Sequence, residues 1–140
     1  MTTQIPLKAV YDGNGNATGL AEFVTGDTIE WNKVTHTLIQ TPTYNANTTI
    51  NWGNGDIARI TLTGNIAITN TGAVDGQKLL LELTQDATGS RTLTFTSETR
   101  FGTDITGITL TTTANKKDRI GLIYDGIAGK YDVIAFAKGY

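Results

Sequence analysis

From Thr48 onward, apolar residues recur at every second position: Ile60 and Leu62, Ile66 and Ile68, Leu79, Leu81 and Leu83, Leu93 and Phe95, Ile108 and Leu110, and Ile120, Leu122 and Tyr124. A period of two puts each set on one face of a strand. No window sustains a 3.6-residue apolar period, and Gly interrupts most windows of helical length. Threonine fills many of the alternate positions, as in Leu93-Thr94-Phe95-Thr96 and Ile108-Thr109-Leu110-Thr111; its branched hydroxyl side chain suits the outer face of a sheet. The 27 Thr, 16 Gly and 10 Asn against 2 Pro form a composition of strands and turns. Asp86-Ala87-Thr88-Gly89 separates Lys78–Gln85 from Arg91–Thr96, and Tyr124 to Lys130 separates the last two strands; both read as hairpins. Short strands and short polar turns without crossover helices predict an all-β fold, an antiparallel β-sandwich or jelly-roll-like domain.

That regular region is preceded by a different one. Ile5-Pro6-Leu7-Lys8-Ala9-Val10-Tyr11 reads as an extended segment, with Pro6 arguing against a central strand. Asp12-Gly13-Asn14-Gly15-Asn16 is a turn cluster, and Ala21–Val24, Thr28–Trp31 and Thr37–Gln40 read as short strands. The polar stretch Thr41 to Asn47, with Pro42, reads as a loop. The expected organisation is an extended N-terminal arm over 1–31 and a β-sandwich domain over 32–140. The opening Met1-Thr2-Thr3-Gln4 has neither a basic n-region nor an apolar h-region, so no signal peptide is expected. No stretch approaches the roughly 18 apolar residues of a membrane-spanning helix, and no membrane partner is expected. Eleven basic against 13 acidic residues leave a net charge of −2, which argues against a nucleic-acid-coating protein. The absence of cysteine excludes a disulfide scaffold, a thiolate metal site and a cysteine nucleophile.

Candidate chemistry is sparse. The single histidine, His36, could act as a base or a metal ligand, but a strand-face histidine explains it as well. Of the two serines, Ser90 lies in an expected turn, and no nucleophile elbow is present. Asp12 to Thr18 resembles the start of a calcium loop, yet its sixth position is Ala17 and its twelfth is Phe23, where Gly and a bidentate Glu are needed. A turn joining two extended segments fits better. Asp75, Asp86 and Asp125 sit in or before Gly turns and read as turn formers. Trp31, Trp52, Tyr44 and Tyr140 could stack on sugars or pack in a core or interface. Lys116-Lys117-Asp118-Arg119 reads as a solvated loop before a strand. No catalytic residue, cofactor or metal is expected from these patterns.

Residues 76–136 resemble a β domain widespread in phage virion proteins, on tail fibres and on capsid surfaces. The likeness is carried by Gly76-Gln77, by Gln85-Asp86 with Gly89, Arg91, Leu93 and Phe95, by Leu110-Thr111-Thr112-Thr113-Ala114-Asn115 with Asp118, and by Tyr124-Asp125-Gly126. The opening, Ile5 to Asp12 through Gly19–Phe23, resembles leaders that precede such domains. The resemblance implies a virion structural component, commonly trimeric, and implies no catalysis. Because 140 residues are few for carrying a fibre shaft, the leading expectation is a capsid decoration, or cement, protein. It would bind the major capsid protein on the outer head surface as a homotrimer, with Ile5, Leu7, Val10, Tyr11, Leu20 and Phe23 as arm anchors. The alternative is a tail-fibre or receptor-binding domain whose loops Thr41–Asn47, Thr96–Gly107 and Asp125–Gly129 contact a host glycan or protein.

Overall fold

A computed structural model describes residues 38–140 and, nearer the N-terminus, the backbone of two strands. Those two are β1 (Leu7–Tyr11) and β2 (Ala17–Glu22). They pair antiparallel, with Leu7 opposite Glu22 and Ala9 opposite Leu20 and a register shift after Val10. The segments read as extended are thus hydrogen-bonded to each other. The side chains of Leu7, Val10, Tyr11 and Leu20 lie outside the described residues, as do Ile5, Asp12–Asn16, Phe23, Trp31 and His36. The chain divides into two units, Met1–Thr35 and His36–Tyr140. The second carries everything below.

The second unit contains β3 (Ile39–Gln40), β4 (Asn47–Asn51), a 3-10 turn (Trp52–Asn54), β5 (Ile57–Leu62), β6 (Ile66–Thr71), β7 (Lys78–Gln85), β8 (Leu93–Phe95), β9 (Thr99–Phe101), β10 (Lys117–Asp125) and β11 (Lys130–Ala137). One sheet runs β3-β5-β7-β10-β11-β9 and the other β4-β6-β8. From β3 to β8 the chain alternates between the two sheets. Each strand therefore pairs in parallel with the next but one: β3 with β5, β5 with β7, β4 with β6, and β6 with β8. The fold is all-β, as the sequence indicates, but its sheets are mixed. Antiparallel pairing is confined to β7-β10 and β10-β11 in this unit, while β11 pairs in parallel with β9.

Two local expectations change accordingly. The segments flanking Asp86–Gly89 are not a hairpin, because β7 and β8 belong to different sheets. Ile108–Leu110 is not a strand. Leu110 is nonetheless buried, since Asp118 holds the next residue: its carboxylate accepts from the Thr111 N–H at 2.6 Å and the Thr111 hydroxyl at 2.8 Å. The last hairpin, β10-β11, forms as expected.

The period of two delivers one core. Ile50, Ala58, Ile60, Leu62, Ile66, Ile68, Leu79, Leu81, Leu83, Ile120, Leu122, Tyr131 and Val133 bury together with Trp52 and Leu110. The polar groups that enter this region are partnered. The Trp52 indole donates to the Asn70 side-chain oxygen at 2.9 Å, and the Asn70 amide donates to the Thr99 hydroxyl at 2.9 Å. Among the described residues, no buried side-chain nitrogen or oxygen lacks a partner, as a close-packed interior requires.

Amide side chains hold the corners where the chain changes sheet. Gln85 closes the β7-β8 loop by donating to the Arg91 carbonyl at 3.0 Å and accepting from the Arg91 N–H at 2.9 Å. Within that loop Asp86 accepts from the Thr88 and Gly89 N–H groups and pairs with Arg91 at 2.8 Å. Gly89 has φ +73°, and a Cβ there would sit 2.4 Å from the Thr112 carbonyl oxygen. At the other end Gln77 donates to Asp56 at 2.7 Å and to the Trp52 carbonyl at 3.2 Å, while accepting from Val74. Asp125 caps the β10-β11 turn by accepting from Ile127 and Ala128, and Asp75 accepts from Gly126. The aspartates expected to form turns do so.

Replacing Gln85 by Leu leaves the part-buried backbone N–H and carbonyl of Arg91 without their Gln85 partner and should cost about 1–3 kcal/mol in chemical denaturation. Gly89→Ala adds left-handed strain to a backbone clash and should cost about 2 kcal/mol or more.

Candidate functional site

The outer face of the larger sheet carries two polar rows fixed by strand register. Arg59 on β5 stands opposite Glu82 on β7, which stands opposite Arg119 on β10. In the adjoining row Thr61 stands opposite Thr84, and Thr84 opposite Lys117. Because Ala58, Ile60, Leu81, Leu83, Asp118 and Ile120 point inward, these six side chains point outward.

Glu82 is buried although it lies on the outer face, its side chain only 4% exposed. Arg59 Nε donates to its Oε2, Arg119 Nε donates to its Oε1 at 2.8 Å, and Lys117 Nζ lies 3.9 Å away. Burial pushes the carboxyl up. The hydrogen bonds from Arg119 and Arg59 and the Lys117 charge outweigh that, so Glu82 titrates below its usual range. Arg119 is in turn held above its usual range, chiefly by its hydrogen bond to Glu82. Its guanidinium stacks 4.6 Å from the centre of the Tyr140 ring. Tyr140 is tied to β10 through backbone bonds with Lys117 in both directions, each of 3.0 Å. Lys117, Asp118 and Arg119 are therefore strand residues and not a solvated loop, with Asp118 buried and also accepting from Gly139.

Beside these rows a groove of about 400 Å³ opens between the sheet and the β3-β4 loop, lined by Thr41, Pro42, Thr43, Tyr44, Arg59, Ile60, Thr61, Glu82, Thr84 and Lys117. Tyr44 forms a fixed wall. Its hydroxyl donates to the Asn65 carbonyl at 2.9 Å, and Gly64 makes room for it, since a Cβ there would lie 2.4 Å from that oxygen. Each Glu82 oxygen accepts from an arginine Nε, an arrangement that favours the carboxylate over the protonated acid. The chemistry available is recognition through hydroxyls, one aromatic ring and cations.

The aromatic residues weighed for sugar stacking separate clearly. Trp52 is core, Tyr44 lines the groove, and Tyr140 covers Arg119. The three loops weighed for host contact do not share an end. The β3-β4 loop is joined to Asn65 at the start of β6. The β8-β9 connection is bonded to the far end of β6, where Asn70 N–H donates to Glu98 at 2.9 Å, and Lys130 after the β10-β11 turn donates to the Ser97 carbonyl. Thr96–Gly107 also contains β9. At that far end Arg100 binds Asp132 through two bonds of 2.6 and 2.7 Å and Asp125 at 3.1 Å. The row Arg59-Glu82-Arg119 was not among the sequence candidates, since its members come from three strands and only register unites them.

Glu82→Gln should lower stability by about 1–3 kcal/mol at neutral pH, less than breaking a fully buried pair because the arginine ends reach solvent. The native carboxyl is depressed, so its contribution is present above the ordinary carboxylate range and is lost as pH falls through the folded-state value. The gap between variant and native denaturation midpoints should therefore narrow with acidification below that range.

Residues 40–129 match the family described as "Putative phage tail fibre C-terminal domain", a span running from β3 to the β10-β11 turn. No curated protein and no solved structure matches the chain.

Proposed function

Since the chain belongs to that tail-fibre family, and so is a phage virion structural protein, we propose that it works as a tail-fibre module that contacts the host surface by binding, without catalysis of its own. The observation that carries this reading is the family match, which takes in most of the compact unit and extends further toward the N-terminus than the likeness read from residues 76–136. It supports the tail over the capsid-decoration reading, in which the major capsid protein would be the partner. The turn residues that carry the resemblance act as loop clamps here, so a rigid β scaffold presents an outer surface, which is how binding proteins hold a recognition face. Ordering that face beforehand reduces the entropy lost on contact. Assembly as a homotrimer goes with this proposal, because symmetric copies multiply weak contacts through effective concentration.

The labelled full chain should bind host cells saturably and slow adsorption of the phage that carries it, and gold-labelled antibody should mark the tail at a few assemblies per particle. Hundreds of copies per particle with label over the head would overturn the proposal in favour of capsid decoration. Light scattering of the purified chain tests the trimer.

A further inference from the structure

We infer that the groove between the β3-β4 loop and the outer face of β5, β7 and β10 binds an anionic saccharide, its acidic group held by Lys117 and Arg59. The inference rests on the host-contact reading and names the ligand class for it.

Charge balance is the first ground. Three cations, Arg59, Lys117 and Arg119, surround one carboxylate, Glu82. Each Glu82 oxygen already accepts from one arginine Nε, and Lys117 at 3.9 Å stands beyond hydrogen-bond distance. Three positive charges against one carboxylate leave the cluster with an excess of positive charge, and Lys117 is the cation not hydrogen-bonded to Glu82. Among the described residues the terminal nitrogens of Arg59 make no hydrogen bond, and its side chain is 48% exposed beside the groove. Like charges held this close repel one another, and the excess stands out on a chain whose overall charge is −2. An anion in the groove would complete it.

The lining supplies the second ground. Thr41, Thr43, Thr61 and Thr84 line the groove, and none of their hydroxyls bonds to another described residue. Each offers one donor and two acceptor positions. The Tyr44 ring is pinned through its hydroxyl to Asn65, and Pro42 also lines the groove, giving apolar surface of the kind that accepts the C–H face of a sugar ring. Hydroxyls, a rigid aromatic wall and a local positive charge together fit a polyhydroxylated anion better than an apolar molecule or a bare ion. The same chemistry is offered by a carboxylate-bearing glycan and by a phosphate-bearing one.

The test is titration of the full chain with oligogalacturonate, a phosphomannan and neutral dextran. At least one acidic saccharide should bind, dextran should bind markedly more weakly, and added salt should weaken the acidic complex. The acidic probe that binds more tightly identifies carboxylate or phosphate as the acidic group. Lys117→Gln should weaken that complex at least about fivefold. Thr61→Glu, at an exposed position in the same row, should abolish it. Lys78→Gln, an exposed lysine at the start of β7, should leave it unchanged. Circular dichroism and melting of each variant verify that it is folded. Failure of both acidic saccharides to bind, or full binding by folded Lys117→Gln and Thr61→Glu, overturns the inference. If the native chain still binds host cells in that case, the host-contact reading stands and only the groove assignment falls; if cell binding is also absent, that reading falls too.

Discussion

Parallel pairing between strands separated by an excursion into the opposite sheet is the constraint on which the second unit is built. Each of β5, β6 and β7 is correct only if the chain crosses to the other sheet and returns in register. The apolar alternation makes that register strict, because a shift of one residue would turn Ile60, Leu81 and Ile120 outward together. The same register sets the Arg59-Glu82-Arg119 row on the reverse side. Core and candidate site are two faces of one alignment.

The corners supply what the ladders cannot. A strand that leaves its sheet exposes backbone groups that must be satisfied. Gln85 and Gln77 do this with amide groups that imitate a backbone partner, and Asp86 and Asp125 with carboxylates that collect N–H groups from the turn. These are the residues through which the chain resembles phage virion domains. That resemblance is therefore one of loop architecture, while the groove proposed as a binding site is lined largely by strand residues.

Much of the fold is legible in the sequence. The all-β class, the inward sets from Ile60 to Leu122, the β10-β11 hairpin, the aspartate turns and the Thr41–Asn47 loop, apart from Asn47, which opens β4, follow from period and turn chemistry. Parallel pairing is not legible, because alternation reports which face a residue takes and nothing about the direction of its neighbour. The Asp86–Gly89 turn looks like a hairpin because its residues would suit one, yet Gln85 and Arg91 use it to send the chain across to the other sheet. Leu110 shows the alternation without being in a strand, since Asp118 draws that segment in. The groove was illegible for the same reason as the parallel order: Arg59, Glu82 and Lys117 lie far apart in sequence and meet only through β5, β7 and β10. Lys117 and Arg119, read from their neighbours alone, look like an ordinary solvated run.

The alternating path also governs how the unit can assemble in time. Within residues 38–140, β10 and β11 are the only hydrogen-bonded strands adjacent in sequence, and a short turn joins them. Every other pair must close a loop containing at least one whole strand, and that closure entropy slows formation. The C-terminal hairpin can thus appear early and offer β10 as an edge on which β7 aligns, after which β5 and β3 add in sequence. A nascent chain emerging from its N-terminus would lack both antiparallel pairs of this unit until β10 and β11 were available, so the larger sheet is completed last.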